Sequence, residues 1–232
     1  MLDRGLSLAE VDGLMEVAGD YVDVVKLGWG TALATGNLEP KLQRYREHGI
    51  PVVLGGTLTE LAIAQGRLEA LVQWVQELGL RHFEISDGTI VLERGRKLEL
   101  IQQLAEHFTV LSEVGSKDDT GAITPPYLWV EQMRGELAAG AWKVIAEGRE
   151  SGSAGIFRPT GEVREGLINE IVHEVDPDRI LFDAPRKEQQ VWFVRRFGPE
   201  VSLGNIDPGQ VLPLETLRLG LRSDTLGGPR RS

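Results

Sequence analysis

A recurring beat constrains this chain more than any other feature. Gly19, Gly49 and Gly79 each close a helix-like stretch, and β-branched runs follow at residues 21–25, 50–54 and 82–85. Similar runs recur at 108–111, 142–145, 179–182 and 200–203. A period of roughly thirty residues is the length of a βα unit. Strands alternating with helices predict a parallel sheet covered by helices. Seven cycles plus the N-terminal stub Met1-Leu2-Asp3 match a (β/α)8 TIM barrel better than a doubly wound open sheet. The 232-residue length suits that barrel, which typically needs about 250 residues. The expectation is one barrel domain over residues 1–226, followed by a disordered tail at 227–232.

The helices can be placed from their caps and stripes. Ser7-Leu8-Ala9-Glu10 has the form of a capping box, and Gly19 reads as a left-handed stop. Thr57-Leu58-Thr59-Glu60 carries the same capping signature. Leu42 with Tyr45, then Leu68, Leu71, Val72, Val75 and Leu78, form apolar stripes ending at Gly49 and Gly79. The run Glu93-Arg94-Gly95-Arg96-Lys97 reads as a solvated helix start. Residues 116–126 read as a long charged loop, as expected beside an active site.

Polar residues stand at one phase of the beat, where each run ends: Lys26, Glu84, Glu113, Glu147, Asp183 and Asn205. In a barrel this phase is the C-terminal mouth, where the fold places its chemistry. Lys26 precedes Gly28-Trp29-Gly30, and Glu84 precedes Ser86-Asp87-Gly88. Glu113 precedes Lys117, and Glu147 precedes Arg149, Ser151 and Gly152. Carboxylates gathered there suit Mg²⁺, a hard ion that takes oxygen ligands. Arg and Lys beside them suit phosphate or carboxylate. The same acids could instead serve internal salt bridges, with Arg149 bracing them. His48, His82, His107 and His173 fall at the opposite phase and read as structural.

Composition narrows the function further. A net charge of −10 argues against general nucleic-acid binding, which draws on a basic surface. It permits an anionic substrate in a local basic pocket. With no cysteine, thiolate nucleophiles and thiolate metal sites are excluded. No apolar run approaches the ~20 residues of a membrane span, and no secretory signal is evident. These readings predict a cytoplasmic enzyme acting away from membranes.

Taken in order, several segments resemble the phosphosulfolactate synthase family. They are Lys26-Leu27-Gly28-Trp29-Gly30-Thr31, Gly55-Gly56-Thr57-Leu58, Glu84-Ile85-Ser86-Asp87-Gly88 and Ser112-Glu113-Val114-Gly115. Glu147-Gly148-Arg149-Glu150-Ser151-Gly152, Ala184-Pro185 with Lys187 and Gln189-Gln190-Val191, and the stretch 217–225 continue the match. The resemblance implies a (β/α)8 barrel and a Mg²⁺-dependent lyase of coenzyme M biosynthesis. Its reaction adds sulfite to phosphoenolpyruvate, giving (2R)-2-O-phospho-3-sulfolactate. The family also includes plant heat-stress-associated proteins. A non-catalytic role, or action on another phosphorylated enolate, is therefore the alternative.

Under this resemblance Lys117 is the expected proton donor, at the second lysine of the family's Glu-Val-Gly-Lys-Lys pattern. Lys26 is the second candidate donor or a stabiliser of the enediolate. Glu84 and Asp87 would order cations or metal-bound water. Glu113, Glu147 and Asp183 are the expected metal ligands. Arg149, Ser151, Gly152, Lys187 and Asn205 are the expected substrate-binding residues, and a homo-oligomer is expected. Ser116 replaces the first lysine of the pair, Asp183 stands where Glu is common, and Ser223 replaces a glycine. Only Met1-Leu2 precede Asp3-Arg4-Gly5-Leu6, so the first strand is expected to be truncated.

Overall fold

The computed structural model describes residues 1–115 and 124–228. Among these residues eight short strands run parallel: β1 Leu2–Asp3, β2 Val25–Leu27, β3 Val52–Leu54, β4 His82–Ile85, β5 Thr109–Val114, β6 Lys143–Ala146, β7 Ile180–Asp183 and β8 Leu203–Gly204. Among the described residues ten α-helices accompany them: α1 Leu8–Ala18, α2 Thr31–Ala34, α3 Leu38–Glu47, α4 Gly56–Ala64, α5 Leu68–Glu77, α6 Arg94–Ala105, α7 Pro126–Ala138, α8 Glu165–Glu174, α9 Lys187–Phe197 and α10 Val211–Arg218. This is the (β/α)8 architecture that the beat predicts, with a first strand of two residues.

Backbone pairing divides the strands into β1-β2-β3 and β4-β5-β6-β7-β8. Two seams join these sheets. At one, Leu2 N donates to Ile206 O at 2.8 Å, tying β1 to the chain leaving β8. At the other, α4 bridges to β4: Thr59 Oγ1 donates to Glu84 O at 2.6 Å, and Gly56 N to Glu84 Oε1 at 2.7 Å.

Strand alternation then sorts the side chains. Val24, Val53, Leu111, Ile145 and Leu181 form a small separate apolar layer. The much larger core packs between strands and helices. Two residues further along the strands, and so on the same face, stand Lys26, Gly55, Glu113, Glu147 and Asp183. A barrel whose inner layer is apolar below and ionic above aims its charges at the C-terminal mouth.

Local signals held in some places and failed in others. Ser7 and Glu10 form the capping box: Ser7 N donates to Glu10 Oε2 at 2.7 Å, and Glu10 N to Ser7 Oγ at 3.3 Å. Gly49 and Gly79 take the left-handed conformation, at φ 71° and 69°. Gly19 does not; its φ is −57°, and the chain continues through a 3-10 turn at Gly19–Tyr21. That turn consumes part of the β-branched run, so β2 starts at Val25. Thr57 is not a cap either. Helix α4 already begins at Gly56, and Glu60 is buried. Glu93 does cap α6, accepting from Gly95 N and Arg96 N. Lys97, however, turns inward and is buried, because it lies one turn before Ile101 on the helix's apolar face.

Candidate functional site

The strand-end charges meet around Lys26. Its Nζ lies 3.1 and 3.2 Å from the two oxygens of Glu84, whose side chain is 1% exposed against 14% for Lys26. Burial alone would lower the Lys26 pKa, but Glu84, Asp183, Glu113 and Glu147 outweigh it and raise the value well above the usual range. Lys26 is therefore a fixed ammonium. An amine held charged this firmly serves better as an electrostatic anchor than as a proton donor.

The acids around it differ in their surroundings. Asp183 is fully buried; Oδ2 accepts from Gly148 N at 3.2 Å. Its Oδ1 has no hydrogen-bond partner among the described residues. Burial pushes its carboxyl up to about 7, with Lys26 pulling it down and Glu113 and Glu84 adding to the rise. Glu84 is also raised by burial, against the opposing pull of Lys26 and the Gly56 amide. Glu147 accepts a short hydrogen bond from Arg149 N. Glu113 Oε1 lies 2.7 Å from Ser86 Oγ, which also stands 2.6 Å from Glu60 Oε1.

Backbone geometry at the mouth is unusual in the same places. Trp29, Arg149 and Asn205 adopt positive φ, at 55°, 54° and 54°. Each lies within three residues of the end of β2, β6 or β8. Such strain costs about 1–3 kcal/mol per residue and gathers at functional sites. Gly115 completes the crowding: at φ 130°, a Cβ there would lie 2.6 Å from the Trp129 ring and 2.8 Å from Glu147 Cβ.

The other expected site residues are placed less centrally. Ser151 is exposed and Gly152 buried, on the loop leaving β6. Asn205 is half-buried just after β8. Lys187, at the start of α9, pairs with Asp224 at 2.7 Å and so holds the C-terminal segment. Lys117 lies outside the described residues. His48, His107 and His173 are exposed, and His82 packs edge-on against Trp142.

Behind Glu113 lies a network that sequence reasoning missed. Lys97 Nζ contacts Asp87 Oδ1 at 2.8 Å, Glu113 O at 2.7 Å and Glu136 Oε1 at 2.9 Å. Ser112 Oγ donates to Glu136 Oε2 at 2.6 Å. Three ammonium protons meet three acceptors, so this buried cation is fully satisfied. The available signal was its i,i+4 spacing to Ile101. Glu60 was missed because its position imitates a cap.

Oxygen donors dominate the cluster, and the buried free Oδ1 of Asp183 is a position a hard cation would satisfy. Among the described residues no three acids form a ready-made cage. Mg²⁺ would then rely on one or two carboxylates, with water and substrate oxygens as the remaining ligands. A cavity of about 360 Å³ runs beneath the cluster, from Lys26 and Glu84 past Val53 and Leu111 to Trp142 and Lys143. Its lining reaches Asp23 and Ser202 before β2 and β8, and Gly204 and Asn205 at the end of β8.

Similarity to known proteins follows the same chain. Solved structures show the fold alone. The 3-hexulose-6-phosphate synthase of Salmonella typhimurium superposes with a TM-score of 0.55 at 16% identity, covering 87% of this chain and 85% of that one. The 3-keto-L-gulonate-6-phosphate decarboxylase of Vibrio cholerae gives 0.51 at 10% identity, covering 87% and 84%. Among the described residues no helix is long and apolar enough to cross a membrane. Phosphosulfolactate synthase of Methanothermobacter thermautotrophicus is 41% identical over 232 residues, spanning 98% of this chain and 90% of that protein. The Bacillus subtilis phosphosulfolactate synthase is 40% identical over 227 residues, spanning 97% and 90%. With a family model for (2R)-phospho-3-sulfolactate synthase matching residues 1–224, the chain belongs to that family.

Proposed function

We propose that this protein adds sulfite to C3 of phosphoenolpyruvate, with Mg²⁺, to give (2R)-2-O-phospho-3-sulfolactate. The observation that carries the reading is the placement of Lys26, held charged among Glu84, Glu113, Glu147 and Asp183 at the strand ends. In the reaction the sulfur lone pair forms the C3–S bond. The C2–C3 π electrons move onto C2 and the carboxylate, and a proton then adds to C2. Negative charge builds up on C2 and the carboxylate beyond what the substrate carries, which is what a fixed cation stabilises. Lys26 supplies that cation, and Glu84 holds it in place. Asp183, with Glu147 or Glu113, would hold Mg²⁺, which when bound supplies Lewis-acid stabilisation of the developing negative charge. Lys117 is the proton donor to C2. Arg149 and the Ser151-Gly152 turn receive the phosphate or sulfonate.

The test is direct. Purified protein with phosphoenolpyruvate, sulfite and Mg²⁺ should form an organic sulfonate at the expense of both substrates, and chelation of Mg²⁺ should stop it. Absence of product under these conditions would remove the assignment. Turnover of another phosphorylated enolate in its place would redirect it.

A further inference from the structure

The first turn of α9 holds the loop that leaves β6 at two places. Gln189 is buried, and its side-chain amide is fully used. Oε1 accepts from Arg186 N at 3.1 Å. Nε2 donates to Gly152 O at 2.8 Å and to Gly161 O at 3.0 Å. From outside, Arg186 Nε donates to Ser151 O at 2.7 Å and Nη1 to Thr160 O at 3.4 Å. Both limbs of the loop are therefore gripped, near 151–152 and near 160–161, by two side chains three positions apart.

The fit leaves no slack. Gly152 has φ 63° and Gly161 φ 93°; a Cβ on Gly152 would lie 2.7 Å from the Gln189 amide atoms, and one on Gly161 2.3 Å from Arg186 Nη1. The loop also folds back on β6, with Ile156 N donating to Glu147 O at 2.9 Å. One amide group thus couples the helix after β7, the strand that carries Asp183, to the turn that follows Glu147.

We infer that Gln189 is a positioning residue that sets the 149–152 turn in the shape that binds the substrate's phosphate or sulfonate group. This rests on the proposed reading of that turn as the anion site. Glutamine suits the task because a side-chain amide offers two donors and an acceptor without adding charge. Gln189→Glu keeps the size and the acceptor but sets a carboxylate oxygen against two carbonyl oxygens. Gln189→Met removes all the polar contacts without that repulsion.

The experiment is hydrogen exchange across residues 148–164 in wild type, Gln189→Glu and Gln189→Met, with and without phosphoenolpyruvate or inorganic phosphate, alongside steady-state kinetics. In wild type, phosphoenolpyruvate slows exchange across the loop. In both variants the ligand-free loop exchanges at least about tenfold faster, as expected when a local clamp is lost. The KM for phosphoenolpyruvate rises about tenfold to a hundredfold, while kcat changes less than about threefold, because a positioning loss falls on binding. Melting curves of both variants identify any general loss of fold, and Gln189→Met carries the test if Gln189→Glu does not fold. Unchanged exchange in the folded variants overturns the clamp. Faster exchange with wild-type KM overturns its role in anion binding. If wild type makes no sulfonate yet the loop is protected by phosphoenolpyruvate in a Gln189-dependent way, the proposed reaction falls and the positioning role stands.

Discussion

Lys26 Nζ stands 3.1 Å from Glu84 Oε2, and this ion pair joins two separately hydrogen-bonded sheets. Lys26 belongs to β2 and Glu84 to β4, so the contact passes across β3. Gly55, just beyond β3, leaves the space; a Cβ there would lie 3.3 Å from Lys26 Cδ. The pair therefore fastens a seam and centres the charge of the mouth at once.

Removing the cation should separate these two duties. Lys26→Met leaves Glu84 buried and unpaired, which should cost about 3–5 kcal/mol of stability. Lys26→Met with Glu84→Gln should recover most of that loss, since the amide still accepts from Gly56 N. Neither protein should recover turnover. Urea unfolding and sulfonate formation, measured side by side, check both halves; a double variant with wild-type turnover would remove Lys26 from the chemistry.

Asp183 predicts a pH dependence of stability in protein free of divalent ions. Its carboxyl is raised from 3.8 to about 7, so the folded state holds a proton that the unfolded state has already released. Between those values folding takes up a proton, and stability falls as pH rises; above about 7 this contribution is flat. Asp183→Asn should flatten the slope and gain stability over wild type at pH 7.5 more than at pH 5. Parallel pH profiles for the two proteins would contradict the assignment.

Lys97 should matter for stability even though it never faces the mouth. Lys97→Met abandons Asp87, Glu136 and the Glu113 carbonyl, and the buried Glu136 left behind should cost about 3–5 kcal/mol. Adding Glu136→Gln should return much of it. Thermal or urea midpoints decide the matter; a single variant as stable as wild type would mean that the network carries no net energy.

Lys117 lies outside the described residues, and its role is tested by chemistry. Lys117→Ala should lower turnover at least about a hundredfold, the usual effect of losing a general acid. The KM for phosphoenolpyruvate should change much less. Near-normal turnover would assign the C2 proton to another group.

How much was legible follows from how local each signal is. The Ser7–Glu10 box and the left-handed Gly49 and Gly79 depend on neighbours within a few residues, and they held. Gly19 misled because a glycine permits a left-handed stop without requiring one. Thr57 misled because a cap pattern also fits a helix that starts one residue earlier. Lys97 was hidden in a charged run, although its i,i+4 relation to Ile101 marked the buried face. Lys187 stands in a motif segment, and only the packed structure shows its ammonium 2.7 Å from Asp224.

By itself the sequence determined the alternation of strands and helices, the end of the barrel that carries the charges, and the family. These depend on periodicity and on the order of residues along the chain. Tertiary structure alone decided which charges face one another. Lys26 and Glu84 are 58 positions apart, and the strength of their pairing depends on how little water reaches them. The free oxygen of Asp183, the buried Lys97 and the grip of Gln189 on its loop have the same origin. Desolvation and hydrogen-bond partnership are properties of packed neighbours, and packing brings together groups that the chain keeps far apart.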